Sequence, residues 1–130
     1  MDADNAGEFV SLQEKANRLR ADGRRFIGGG LPVFEQAGRL QLEVLIHEGL
    51  NPSSRVLDVG CGALRGGYWM MHFLDPGRYF GIEPHEERVK TGLEEIVEPE
   101  FVKWAQPRFS YNDDFDLGVF GEKFDFVIAR

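Results

Sequence analysis

The residues best suited to chemistry lie where a short apolar run meets glycines, at Val56-Leu57-Asp58-Val59-Gly60-Cys61-Gly62. Glycine after a strand lets the backbone approach a ligand closely, and an acid, Asp58, stands two residues before the first glycine. Pyrophosphate would bring negative charge to the start of the following helix, so Asp58 suits a ligand with a cationic part better. The dinucleotide fingerprint GxGxxG also misses by one: Arg65 stands where its third glycine belongs, and the available glycine is Gly66. A second acid, Glu83, closes the run Tyr79-Phe80-Gly81-Ile82, and a third, Asp114, sits in Asn112-Asp113-Asp114.

Each of these residues has a plainer reading. Asp58 caps the next helix while Gly60 and Gly62 serve only the turn; Glu83 is a solvated acid starting the helix after Pro84; Asp114 is an ordinary turn residue. Cys61 reads as a small packing residue, because no basic partner is placed by sequence, and His85 as an exposed helix-start histidine.

Composition narrows the partners. A chain of 130 residues with 42% hydrophobic and 28% charged content makes one ordinary domain with a core. With 22 acidic residues against 15 basic, net −7, it offers no broad phosphate-binding face, so nucleic acid is not expected as a partner. The cluster Arg18, Arg20, Arg24 and Arg25 reads as a solvated helix end. The single cysteine excludes an intramolecular disulfide, and His47, His72 and His85 lack zinc-ligand spacing, so no metal site is expected. An acidic N-terminus and the lack of an apolar run near the ~20 residues of a membrane span predict a cytoplasmic protein away from membranes. Asn51-Pro52-Ser53 fails as a glycosylation site because proline occupies its middle position.

The elements that must position these residues follow from periodicity. Phe9, Leu12, Ala16 and Leu19 share a helical face up to Asp22-Gly23. Gly28-Gly29-Gly30 break the chain as a hinge or a ligand lid, and Phe34, Ala37, Leu40, Val44 and Leu45 then share the apolar face of a second helical segment closed by Gly49 and Pro52. Val56 to Val59 predicts a strand, and Leu64 to Phe73 a helix stopped by Asp75-Pro76-Gly77. Tyr79 to Glu83 predicts another strand, and Val89, Leu93, Ile96 and Val97 the buried side of a helix that Pro99 ends. Phe109 and Tyr111 alternate with polar neighbours, and Phe124-Asp125-Phe126-Val127-Ile128-Ala129 is the last apolar strand. Alternating β and α units predict an α/β fold on a parallel, doubly wound sheet.

Asp58-Val59-Gly60-Cys61-Gly62 resembles the first motif of class I S-adenosylmethionine-dependent methyltransferases. Gly81-Ile82-Glu83-Pro84 is similar to the segment that ends in that family's ribose-binding acid, and the strand Phe124 to Ala129 follows in the right order. The resemblance covers roughly Arg39 to Arg130. It implies a Rossmann-like, mainly parallel sheet truncated after its fourth strand, with residues 1–38 a helical extension and 39–130 an incomplete cofactor-binding domain. The implied cofactor is S-adenosylmethionine, whose ammonium and sulfonium suit an acid beside the turn and whose carboxylate is left for backbone amides.

By the same resemblance, Gly60 and Gly62 lie under the methionine part, Glu83 accepts both ribose hydroxyls, and Cys61 and Pro84 join them among the cofactor-binding residues. Asp114 and the amide of Phe115 meet adenine, and the backbone of Ala129 holds the ammonium. Leu64 departs from the pattern by standing where many members have a third glycine. The implied reaction is methyl transfer to an acceptor, expected to be a small molecule, through proximity and orientation; the catalytic residues are unknown, since no general base can be nominated. The alternatives are a non-catalytic S-adenosylmethionine-binding module or relic and, third, an NAD-binding oxidoreductase fragment. The family sets three more strands beyond the fourth, so the isolated chain is expected to be inactive and to self-associate through its last strand.

Overall fold

The computed structural model describes residues 11–21 and 34–129. Phe9, Arg24, Arg25, the glycines at 28–30 and Arg130 lie outside the described residues.

Helix α1, Leu12–Ala21, starts with a reciprocal cap that Ser11-Leu12-Gln13-Glu14 encodes. The Glu14 amide donates to Ser11 Oγ at 3.1 Å and the Ser11 amide to Glu14 Oε1 at 3.4 Å. One turn on, Lys15 Nζ donates to the Ile96 carbonyl at 3.1 Å and to Glu98 Oε2 at 2.6 Å, tying α1 to the body of the domain. Helix α2, Phe34–His47, runs unbroken through residues 38 and 39, where the sequence places its domain boundary. It buries Phe34, Gly38, Leu42 and Leu45 rather than the whole expected face, leaving Leu40 47% and Val44 60% exposed. The two stripes are adjacent on the helix, and packing against the next helix selects between them.

The strands β1 (Val56–Val59), β2 (Tyr79–Ile82), β3 (Arg108–Ser110) and β4 (Phe126–Ala129) form one parallel sheet in the order β3-β2-β1-β4. Every residue of β1 and β2 is buried, as expected of central strands in a parallel sheet. Helix α3, Arg65–Phe73, connects β1 to β2, and its first residue follows Leu64, a buried leucine in the left-handed conformation at φ 69°. The predicted helix is therefore one residue too long at its start.

Between β2 and β3 the structure corrects the sequence reading. Helix α4, Glu86–Thr91, passes into a π-helical turn, Gly92–Ile96, which buries Ile96, and Val97 follows it into the core. Pro99 does not end this element; it opens a separate helix, α5 (Pro99–Ala105), at a first-turn position where its missing N–H costs nothing.

One face of the sheet carries the helical core, in which Phe34, Leu42, Leu45, Met70, Met71, Val89 and Ile96 pack with Val56 and Tyr79. The connection from β3 to β4 crosses to the opposite edge of the sheet. On its way Phe120 and Phe124 cover Leu57, Val59, Phe80 and Ile82 on the second face, the two rings meeting Phe80 edge-on at 5.1 and 5.0 Å. Phe124 thus precedes β4 instead of belonging to it, and the Asp125 carboxylate accepts the Arg55 amide at 2.8 Å to set the strand's start.

Candidate functional site

With β1 central and its chain neighbours leaving in opposite directions, the carboxyl ends of β1, β2 and β4 surround a topological switch point, where open α/β sheets bind ligands. The glycine turn folds over this end: the amides of Gly60 and Cys61 donate to the Ile82 carbonyl at 2.8 and 3.2 Å. Cys61 is buried, and its Sγ would lie 2.8 Å from a Cβ on Gly81, so it is a packing residue between the turn and β2. Only a glycine in β2 leaves the turn room to settle there.

Gly62 is left with its amide free of the backbone ladder, and that amide donates to Glu83 Oε1 at 2.9 Å. The second oxygen, Oε2, accepts the His85 amide at 3.1 Å and lies 4.0 Å from Arg88 Nη1. Glu83 is 4% exposed, which removes its reading as a solvated helix-start acid. Its own amide donates to the Ser110 carbonyl at 3.0 Å, so the ends of β1, β2 and β3 are joined through one residue. Each carboxylate oxygen has two acceptor sites, and one donor on each leaves capacity for a ligand's hydroxyls. Gly62 has φ +56°, and a Cβ built on it meets none of the described residues within 4 Å, so among them the turn presents a bare backbone.

Asp58 lies elsewhere in detail. It is fully buried, and the Tyr79 hydroxyl donates to its Oδ2 at 2.6 Å. In the β1–β2 register Asp58 stands opposite Gly81 and Val56 opposite Tyr79, so Asp58 and Tyr79 are diagonal neighbours on the helical face. The N-cap of α3 is Leu64 and carries no side-chain cap.

Ala129 ends β4 in register with Val59, beside the turn. Pro84 is half-buried next to Glu83. Asp114 and Phe115 stand in the exposed loop after β3, where Asp114 Oδ1 accepts the Asp116 amide at 3.3 Å, the bond of an ordinary polar turn. Phe115 is 64% exposed at φ 58°, an uncommon conformation for an aromatic residue. The structure thus brings Gly60, Cys61, Gly62, Glu83, Pro84 and Ala129 to one end of the sheet, sets Asp58 beneath it, and leaves Asp114 and Phe115 in the adjoining loop.

Three residues went unseen in the sequence. Tyr79 was legible only as a strand residue, and the sequence reading did not single out Arg88. Tyr111 follows β3, 36% exposed, and its partial burial, with the charges of Glu86 and Cys61, pushes its phenol above the usual range. The pairing of β2 with β3 is the signal that would have found Tyr111, since it sets the end of β3 beside Glu83.

The glycine turn, the acid that ends β2 and the strand order together define the fold of class I S-adenosylmethionine-dependent methyltransferases. Two crystal structures of the magnesium protoporphyrin IX methyltransferase (ChlM) of Synechocystis PCC 6803 share it. The one with bound SAH matches at 21% identity and TM-score 0.60, over 88% of this chain and 55% of that one. The one with bound SAM matches at 19% identity and TM-score 0.61, over 94% and 62% respectively. The chain therefore spans between 55% and 62% of the length of these structures. No family model matches it, and no curated protein does.

Proposed function

We propose that this chain binds S-adenosylmethionine at the carboxyl ends of β1, β2 and β4 and serves methyl transfer to a small-molecule acceptor. The observation that carries the reading is the junction of Glu83 with the Gly62 amide, a buried carboxylate with acceptor capacity facing a bare backbone turn. Both residues fit the group: Glu83 would take the ribose hydroxyls, and the bare backbone at Gly62 would take the methionine part.

When bound, the cofactor supplies an electrophilic methyl on a sulfonium; the chain supplies position. Asp58, turned toward Tyr79, acts on a cationic ligand through its field from beneath the turn rather than by contact. The backbone of Ala129 is proposed to hold the ammonium, and the Phe115 amide with Asp114 to meet adenine. A cytoplasmic setting completes the proposal, supported by the single cysteine and by the finding that no described helix is long and apolar enough to cross a membrane.

Calorimetric titration with SAM, SAH and NAD tests the binding. The adenosyl compounds are expected to bind tighter than NAD, and tighter NAD binding overturns the proposal. Cofactor binding without methyl transfer to any small-molecule acceptor would mark the chain as a non-catalytic binding module.

A further inference from the structure

The geometry points to Arg88 as the positioning residue of Glu83, an inference that rests on the cofactor reading above. The Glu83 side chain is 5% exposed, and a carboxylate removed from water needs compensation of its charge as well as hydrogen bonds. The amides of Gly62 and His85 supply one hydrogen bond to each oxygen. The Arg88 guanidinium supplies the charge, with Nη1 at 4.0 Å from Oε2, the oxygen that the His85 amide holds.

The other charged groups of this helix do not compete for that role. The His85 imidazole is 56% exposed, and its Nδ1 is 4.0 Å from Glu87 Oε2. Glu86 and Glu87 carry the same sign as Glu83, and Lys90 is exposed. Arg88 is delivered by the first turn of α4, where its amide donates to the His85 carbonyl at 2.9 Å, and by the fully buried Val89 that anchors the same turn. A cation on the Oε2 side and an amide on the Oε1 side hold the carboxylate in one orientation. The acceptor sites that remain are thereby aimed together at a diol.

The test is a double-mutant cycle read by calorimetric binding of SAH to the folded chain. Glu83→Gln is expected to weaken binding at least tenfold, and Arg88→Gln by roughly three- to fivefold, the scale of a half-exposed ion pair. In the double variant the loss should not exceed that of Glu83→Gln alone, because Arg88 acts through Glu83. Arg88→Lys should recover most of the affinity, and circular dichroism should show Arg88→Gln as folded as the parent. Unchanged binding in Arg88→Gln overturns the inference and leaves the cofactor reading standing, as do losses that multiply in the double variant. A parent chain that binds no SAH overturns both.

Discussion

The Gly62 amide and Glu83 Oε1 meet at 2.9 Å, joining the turn after β1 to the end of β2 through a side chain that is almost wholly buried. Twenty-one residues separate them, and the parallel register that sets Val59 beside Ile82 brings them together. The same bond holds the turn in place and orients the acid that the proposed function requires.

Replacing Glu83 with Gln keeps the shape but removes the charge. Cofactor binding is expected to fall by about 1.5–3 kcal/mol, the range for hydrogen bonds to a charged group. His85→Ala should do much less, because His85 meets Glu83 through its backbone amide, which the substitution keeps, and its ring is exposed. Titration of both variants with SAH checks the pair; equal losses would refute the role of Glu83.

Gly62→Ala separates binding from folding. The new methyl meets no atom of the described residues, so the variant should lose only the ~1–2 kcal/mol of a non-glycine residue in the left-handed conformation. The space it fills is the proposed ligand's, so SAH affinity should fall at least ~tenfold further than stability alone explains. Urea unfolding beside calorimetry measures both.

Tyr79→Phe removes a donor from the fully buried Asp58. The expected cost is about 1–3 kcal/mol of stability, the penalty for under-satisfying a buried polar group. Thermal or urea unfolding reads it directly, and an unchanged midpoint would show that the 2.6 Å bond contributes nothing.

The Lys15–Glu98 pair makes α1 docking depend on pH. Burial by itself pushes the Glu98 carboxyl up, but the Lys15 hydrogen bond, a backbone hydrogen bond and the charges of Lys15 and His72 hold it below its ordinary value of 4.5. A carboxyl lowered in the folded state contributes stability above its unfolded value and loses it as pH falls through the folded one. The melting difference between the parent and Lys15→Met should therefore be greatest near neutral pH and shrink below pH 4.5.

Among the described residues β4 pairs only with β1, and Val127 at its middle is 53% exposed. A strand edge that no described residue pairs is a template for another chain, and we propose that the 130-residue chain self-associates through it. Light scattering over a concentration series should show association that Val127→Lys reduces. Association undiminished in that variant would place the contact elsewhere.

Much of the fold was legible because its signals are local. The run Val56 to Val59, the glycines at 60 and 62, and the run Tyr79 to Glu83 each read as strand or turn from a few neighbouring residues, and the structure places them so, except that β2 stops at Ile82, one residue before Glu83. Pro99 was misread because proline both ends and begins helices, and only the chain's path after Val97 shows which. Leu40 and Val44 were assigned inward because a helical apolar stripe can be drawn through either of two adjacent faces.

By itself the sequence determined the order of the strands, the glycine turn and the presence of an acid after the second strand, since backbone preference and apolar periodicity act over a few residues. The tertiary structure decided the rest. It bonded Asp58 to the Tyr79 hydroxyl, and it sealed Glu83 against the Gly62 amide with Arg88 beside it. It also put Asp114 in a solvent-exposed turn. These outcomes depend on strand register and on which groups end up within hydrogen-bond reach, at about 3 Å, of residues distant in the chain.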